Sequence, residues 1–157
     1  MKIKRIEDEN LNHYKTLSMV IAFPNCTFKC EKECGQRVCH NSTLASAPIF
    51  EIRAGDVVWQ YLSNPMTHAI VCAGLEPMDS FDDLIDLVST AREAISDDIV
   101  IYTGYRKEEI EDKIDILKQY ENIVVKYGRF VPNKEPHYDP ILCVKLANDE
   151  QYAERIS

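Results

Sequence analysis

The stretch LSMVIAF, residues 17–23, is a continuous apolar run that is closed by Pro24. Three similar, mostly apolar runs, each followed within two residues by a glycine, occur at 68–73, 99–102 and 123–127. A strand that is covered on both faces of a sheet appears as an unbroken apolar run, whereas a half-exposed strand alternates. The four runs therefore predict buried strands of a mainly parallel sheet.

Longer amphipathic patterns separate these runs, as expected when helices connect parallel strands. They predict a short helix at 57–62, a second from Asp79 or Ser80 to about Ser96, and a charged helix at 107–120. A fifth strand is predicted at 141–146, and the tail from Asp149 is predicted to form a last short helix. The predicted fold class is therefore α/β, with about five strands.

The composition is that of an ordinary globular protein, with 157 residues, 45% hydrophobic and 28% charged. This length predicts a single domain. The net charge of −8 argues against a protein that mainly binds nucleic acid or an anionic membrane. No apolar run approaches the roughly 20 residues that span a bilayer, and no apolar stretch follows the basic start as in a secretory signal. We therefore expect a cytoplasmic protein.

Six cysteines are unusual in such a chain, and four of them fall between Cys26 and Cys39. In a reducing compartment, metal or redox chemistry is favoured over a disulfide framework. Cys72 and Cys143 lie alone in apolar runs and are interpreted as small core residues. The clustered set is Cys26, Cys30, Cys34 and Cys39.

Thiolates are soft ligands that suit zinc or an iron–sulfur cluster. Four of them could close a structural zinc site, and His40 could complete a Cys3His site. A cluster held by only three would leave one iron open to a substrate. The spacing of the cysteines alone does not decide between zinc and iron.

The unusual segments all follow predicted strands. In parallel sheets the active site lies beyond the carboxyl ends of the strands. The cysteine loop follows the first strand, and short glycine-containing segments follow the others at 74–77, 103–105 and 128–130. We therefore expect these segments to meet at one edge of the sheet.

These segments, in this order, resemble the radical S-adenosylmethionine superfamily, and most closely the small activating proteins of anaerobic ribonucleotide reductase. The likeness covers roughly residues 17–131. The matching elements are Cys26-x3-Cys30 with VCHNS at 38–42, GLEP at 74–77 (the family has Gly-Gly-Glu-Pro), YTGY at 102–105, and KYGRFV at 126–131 (the family has Asp-Gly-Lys-Phe-Val).

The chain departs from the family pattern at three places. Eight residues separate Cys30 from Cys39, where the family has two between its second and third cysteines. Cys39 is the favoured third ligand because Val38 and Asn41 flank it as in the family, and Cys34 is the alternative. Ala73 replaces the first glycine of the second motif, and 12–16 lacks the glycines that the family has before its first strand.

The resemblance implies a [4Fe–4S] cluster held by Cys26, Cys30 and Cys39, with S-adenosylmethionine bound at the fourth iron. Reductive cleavage would give a 5′-deoxyadenosyl radical. Glu76 would accept a hydrogen bond from the methionine ammonium group. The implied cofactor-binding residues are Phe28, Gly74, Leu75, Glu76, Thr103, Gly104 and Tyr105.

The implied fold is a partial (β/α) barrel with helices on the outside, in one radical S-adenosylmethionine domain over 1–157. Within it, 1–16 would be a short N-terminal extension and 132–157 a C-terminal segment that could be mobile. The implied function is that of an oxidoreductase that activates a glycyl-radical partner, such as anaerobic ribonucleotide reductase, in an anaerobic cytoplasm. An external donor would supply one electron.

Two alternatives remain open at the level of the sequence. One is a radical S-adenosylmethionine enzyme that acts on a small molecule or a peptide. The other is a non-catalytic module that binds zinc or an iron–sulfur cluster. Arg129 is a candidate for binding a substrate carboxylate or phosphate, or for a solvated rim.

Overall fold

The structure is a computed structural model that describes all 157 residues. The strands, in chain order, are β1 Lys2–Ile3, β2 Arg5–Asn10, β3 Ser18–Phe23, β4 Phe50–Glu51, β5 Ala69–Gly74, β6 Asp98–Tyr102, β7 Ile123–Tyr127, β8 His137–Asp139, β9 Val144–Leu146 and β10 Tyr152–Arg155. The helices are α1 Lys29–Cys34, α2 Ser42–Ser46, α3 Ala54–Leu62, α4 Phe81–Arg92 and α5 Glu111–Leu117. None of these helices is long and apolar enough to cross a bilayer.

The central sheet has six strands in the order β10-β7-β6-β5-β3-β2. Its four middle strands, β3, β5, β6 and β7, are parallel, and the edge strands β2 and β10 run antiparallel to their neighbours. The middle strands match the four apolar runs of the sequence to within about a residue at each end. Their carboxyl ends therefore lie at the same edge of the sheet.

Alternate side chains of the middle strands pack into two separate cores. One core faces the helices and includes Ile21, Cys72, Ile101 and Val125, which lie opposite one another in register and pack against α3, α4 and α5. Cys72 is fully buried there, which confirms its interpretation as a core residue. The three longer helices, α3, α4 and α5, cover this face, and the other face is available for a site near the strand ends.

The second core is covered by segments that are not helical. Val20, Val71, Val100 and Val124 project to this side and pack with residues that include Tyr14, from the loop before β3, and Leu142 and Leu146, from the C-terminal region. The segments at both ends of the chain thus contribute to the folded structure. The partial barrel implied by the family resemblance stays a prediction.

The C-terminal region differs from the sequence prediction. Only Val144–Leu146 of the predicted fifth strand is extended, and it pairs with β8 in a separate hairpin. Asp139 causes the break, because its carboxylate accepts hydrogen bonds from the backbone N–H groups of Ile141 and Leu142 (both 2.9 Å). Cys143 then adopts a positive φ of 59° and is exposed, so its interpretation as a core residue is wrong.

Two predicted helices also differ. The tail forms strand β10, which pairs antiparallel with β7, and Ala153 is buried between less buried neighbours. The charged helix that was predicted at 107–120 is instead divided into a 3₁₀ turn, Lys107–Glu109, and helix α5. Ile110 lies between them with a φ of −138°, which is outside helical geometry.

Gly128, which directly follows β7, predicts a large stability effect. It has a φ of 96°, and a Cβ atom there would lie 2.4 Å from the carbonyl oxygen of Glu150. Gly128→Ala should lower the free energy of unfolding by more than about 2 kcal/mol, measured by chemical denaturation. Gly55→Ala is the control, because nothing lies within 4 Å of the added methyl group. It should change stability by at most about 1 kcal/mol, and equal effects of the two changes would contradict the packing at the β7 exit.

Candidate metal centre

The cysteine loop begins where β3 ends and contains one short helix. Phe28 adopts a left-handed conformation with a φ of 52°, and its N–H donates to the Cys26 sulfur at 3.2 Å. Helix α1 starts directly after it and carries Cys30 and Cys34, and it ends at Gly35, whose φ is 67°. The turn at Phe28 therefore reverses the chain between the first two cysteines.

Helix α1 accommodates four of the eight residues between Cys30 and Cys39. The backbone N–H of Cys39 donates to Glu31 Oε1 at 3.1 Å, so the chain returns to the first turn of the helix. Asn41 Nδ2 then donates to the carbonyl oxygen of Gly74 at 2.7 Å. The inserted residues thus leave Cys39 beside Cys30 and connect the loop to the end of β5.

Cys30 occupies the middle of the cysteine set. It is close enough to Cys26 and Cys39 for its charge to raise the pKa of both thiols. Burial is the larger cause in each case, and it raises the pKa of Cys26 to about 11. Cys34 is turned toward its own helix end, where its thiol contacts the carbonyl oxygens of Glu31 (3.7 Å) and Gln36 (3.5 Å).

The donor set fits an iron–sulfur cluster in its chemistry. Cys26, Cys30 and Cys39 are half-buried and form no disulfide, and thiolates are the usual ligands of such clusters. No three Cys, His, Asp or Glu side chains converge at metal-ligand distance. Thiols must lose their protons to bind a metal, so cluster binding to these cysteines would release protons and would have to draw the sulfurs together.

Glu76 connects two of the predicted segments. It is 4% exposed, and its carboxylate accepts hydrogen bonds from the N–H of Met78 (3.1 Å) and the N–H of Gly104 (2.8 Å). Burial raises the pKa of Glu76 to about 7, although the backbone hydrogen bonds partly oppose this. Glu76 is therefore an anchoring carboxylate between the ends of β5 and β6, and not a solvated turn residue.

Gly104 is the point where the cysteine loop meets this carboxylate. A Cβ atom at Gly104 would lie 3.5 Å from Cys30 Sγ and 3.5 Å from Glu76 Oε2. The absence of a side chain therefore leaves a thiol and a buried carboxylate close together at the sheet edge. His40 contributes a further contact, since its ring lies 4.2 Å from the ring of Phe130, after β7.

A cavity of about 230 Å³ lies on the sheet face opposite α3, α4 and α5. It is lined by four of the predicted cofactor-binding residues, Gly74, Leu75, Thr103 and Gly104. Glu76 lies behind Gly104 and does not line it. A larger open groove of about 990 Å³, between the N-terminus and the start of α4, contains none of the predicted site residues.

Phe28 and Tyr105 lie outside this cavity. Phe28 lines a shallow surface groove with residues of α1 and the turn after it. The Tyr105 hydroxyl donates to Asp79 Oδ1 at 2.6 Å, and its ring packs against the helix-side core. Both residues hold neighbouring loops, and their contact with a cofactor stays a prediction.

Sequence reasoning missed one conspicuous lining residue, Lys126. The signal was a single charged residue in the otherwise apolar run of β7. Asn41 and Tyr102 also line the cavity; both belong to the quoted segments 38–42 and 102–105 but were not among the predicted cofactor-binding residues.

Arg129 has a role that differs from both sequence interpretations. It is 2% exposed, and its two Nη atoms donate to the two carboxylate oxygens of Glu109, both at 2.7 Å. Its Nε atom lies 3.0 Å from Glu33 Oε1, and Lys29 Nζ donates to Glu109 at 3.0 Å. Because Lys29 and Glu33 belong to α1, this ion-pair cluster holds the cysteine helix against the loops after β6 and β7.

A sequence model of the 4Fe-4S single cluster domain family matches residues 16–142. This is most of the chain, so the protein belongs to that family. No curated protein matches the chain. The protein is thus an iron–sulfur protein with one domain that binds a [4Fe–4S] cluster, and the family supports iron over zinc as the metal of the cysteine loop.

The Arg129–Glu109 pair predicts a pH dependence of stability. The Arg129 guanidinium holds the pKa of Glu109 well below its usual range. The charged pair stabilises the fold above the unfolded pKa of about 4.3, and this contribution is lost as the pH falls toward the lower folded value. Glu109→Gln should therefore lower the free energy of unfolding by about 1–2 kcal/mol at pH 7, and the deficit should narrow between pH 5 and pH 3 in urea titrations.

Asp115→Asn is the matched control, because Asp115 forms an exposed ion pair with Lys118. It should change stability by less than about 0.5 kcal/mol at either pH. If Glu109→Gln behaved in the same way, the ion-pair cluster would not be holding α1.

Proposed function

We propose that the protein is a radical S-adenosylmethionine enzyme that activates a glycyl-radical partner, such as anaerobic ribonucleotide reductase. The observation that carries the proposal is that the Cys30 thiol and the Glu76 carboxylate both lie next to Gly104, where the cysteine loop reaches the carboxyl ends of β5 and β6. The cavity beside them is lined by the glycine-containing segments that resemble the family motifs. Membership in the [4Fe–4S] family agrees with this assignment.

Cys26, Cys30 and Cys39 would hold the cluster through three thiolates and leave one iron free for S-adenosylmethionine. When bound, a reduced cluster of this kind supplies the electron that cleaves S-adenosylmethionine to methionine and a 5′-deoxyadenosyl radical. The return of Cys39 to Glu31 supports its assignment over Cys34, whose thiol is directed toward its own helix end.

The other residues would bind and orient the ligand. Glu76 does not line the cavity, but only Gly104, which has no side chain, separates the two, so a lone pair of Glu76 Oε2 would accept a hydrogen bond from the methionine ammonium group there. Gly74 and Leu75 present backbone to the cavity, and Thr103, which is 2% exposed, limits its floor together with Gly104. Burial at this edge would keep water from the reacting atoms.

The partner and the electron donor are also proposed. The chain places its cysteine cluster in one loop, and a second clustered cysteine set that could relay electrons is absent from the sequence. An external one-electron donor would supply the electron that the cleavage consumes. A glycyl-radical partner would complete the site by covering the open strand edge.

The direct test is anaerobic reconstitution with iron and sulfide. The holoprotein should be brown, contain about four irons per chain, and form 5′-deoxyadenosine when given S-adenosylmethionine and dithionite. A colourless protein with one tightly bound zinc would contradict the proposal. If the protein bound iron but formed no 5′-deoxyadenosine, it would be a non-catalytic iron–sulfur module, and the proposed enzymatic activity would be excluded.

Two cysteine variants test the ligand assignment. Cys39→Ala should abolish cluster binding because it removes one of three ligands, whereas Cys34→Ala should retain the iron content of the wild type. Iron and sulfide analysis with the visible absorption spectrum measures both. The reverse result would make Cys34 the third ligand.

A further inference from the structure

The insertion between Cys30 and Cys39 forms a surface that directly adjoins the cysteine set. Residues of α1 and of the turn after it, together with Phe28, line a shallow groove of about 460 Å³. The N–H of Phe28 donates to Cys26 Sγ at 3.2 Å. Glu31, a second lining residue, accepts a hydrogen bond from the N–H of Cys39 at 3.1 Å. The groove therefore lies directly outside the cysteines that would hold the cluster.

This groove is separate from the cavity at the strand exits. The two share no lining residue, although both adjoin the cysteine loop. The cavity side of the loop is the one where Cys30 Sγ lies next to Gly104. A protein bound at the groove would therefore leave the cavity free for a ligand.

The unpaired charges of the groove are positive. Both acidic side chains of α1 are engaged within the protein, since Glu31 accepts the backbone hydrogen bond inside the loop and Glu33 pairs with Arg129. Lys32 and Arg37 also line the groove, but they are exposed and form no ion pair. These two cations are thus available to the carboxylates of another molecule.

A basic surface of this kind is distinctive on a chain with a net charge of −8. Most of such a chain repels an acidic protein, so a local basic surface determines where that protein docks and in which orientation. Electron transfer also slows steeply with distance. A donor that docks beside α1 would lie close to the cysteines, and its charge would direct it there.

We propose that the groove beside α1 is the docking site of an acidic one-electron-transfer protein, with Lys32 and Arg37 contacting its carboxylates and Phe28 its apolar surface. This inference rests on the proposed function, in which an external donor supplies the electron for the cleavage. The donor would be oxidised by one electron and the cluster reduced by one, and no proton or chemical group would be transferred.

The test uses the reconstituted holoprotein without S-adenosylmethionine, and a reduced acidic [2Fe–2S] ferredoxin as the probe. Lys32→Glu combined with Arg37→Glu should slow reduction of the cluster at least about fivefold at low salt, measured by stopped-flow absorption. Calorimetric titration with the oxidised ferredoxin should show weaker binding to the same variant. Both differences should largely disappear at about 0.5 M salt, where exposed charges are screened.

Two controls separate docking from other effects. Dithionite is a small reductant that needs no docking surface, so it should reduce the variant and the wild type at similar rates. Lys134→Glu combined with Lys145→Glu makes the same change in net charge at exposed lysines outside the groove that form no ion pair. This variant should keep the rate and the affinity for ferredoxin within about twofold of the wild type.

Three results would overturn the docking site. The first is an equal loss for the two double variants, because only the net charge would then matter. The second is unchanged reduction of the Lys32 and Arg37 variant by the ferredoxin. The third is a wild-type holoprotein that dithionite reduces and the ferredoxin does not.

Iron content and thermal unfolding of each variant show whether the fold and the cluster are retained. If the charge reversal loses iron, Lys32→Gln combined with Arg37→Gln removes the charges without placing acids beside the cysteines. It should slow reduction by the ferredoxin and not by dithionite, and equal rates with the wild type for both reductants would contradict the docking site.

The outcome for the docking site is distinguishable from that for the proposed function. A holoprotein that the ferredoxin reduces through this groove, but that forms no 5′-deoxyadenosine from S-adenosylmethionine, would contradict the proposed function alone. A holoprotein that forms 5′-deoxyadenosine with dithionite, and whose Lys32 and Arg37 variant accepts electrons from the ferredoxin at the wild-type rate, would contradict only the docking site.

Discussion

The parallel alignment of β3, β5, β6 and β7 is the constraint on which the site depends. Because these strands end at one edge, four segments that are distant in sequence meet there. Glu76 fixes two of them to each other through its buried hydrogen bond to the N–H of Gly104. Asn41 connects the cysteine loop to the end of β5, and the ion pairs of Arg129 hold α1 in place. The site is thus assembled by contacts between loops, on a scaffold that the core keeps rigid.

The central strands could be predicted because they are buried on both faces, which leaves unbroken apolar runs in the sequence. The C-terminal region could not be predicted, because its course depends on Asp139. The Asp139 carboxylate accepts hydrogen bonds from backbone N–H groups of the following turn and from the N–H of Ala153 in β10. The apolar residues at 141–146 serve a turn and a short hairpin there. A local apolar pattern does not reveal such a side-chain-to-backbone contact.

The position of the site was predictable, and several of its contacts were not. Strand exits located the cysteine loop, Gly74, Glu76 and Gly104 near one another, and the structure places them at one edge. The return of Cys39 to Glu31 depends on the short helix between the cysteines, which has few residues and weak periodicity. Arg129 could not be assigned because its partners, Glu33 and Glu109, come from α1 and from the 3₁₀ turn after β6, which are distant from it in sequence. The position of Lys126 in the site could not be predicted, because only the three-dimensional structure shows that it lines the cavity.

The central claim is that three cysteines leave one iron of the cluster open to S-adenosylmethionine. Mössbauer spectroscopy of holoprotein reconstituted with ⁵⁷Fe tests it most directly, because it distinguishes the individual iron sites. The account predicts that adding S-adenosylmethionine changes the signal of a single iron site and leaves the others as they were. A spectrum in which no site responds to S-adenosylmethionine would contradict it.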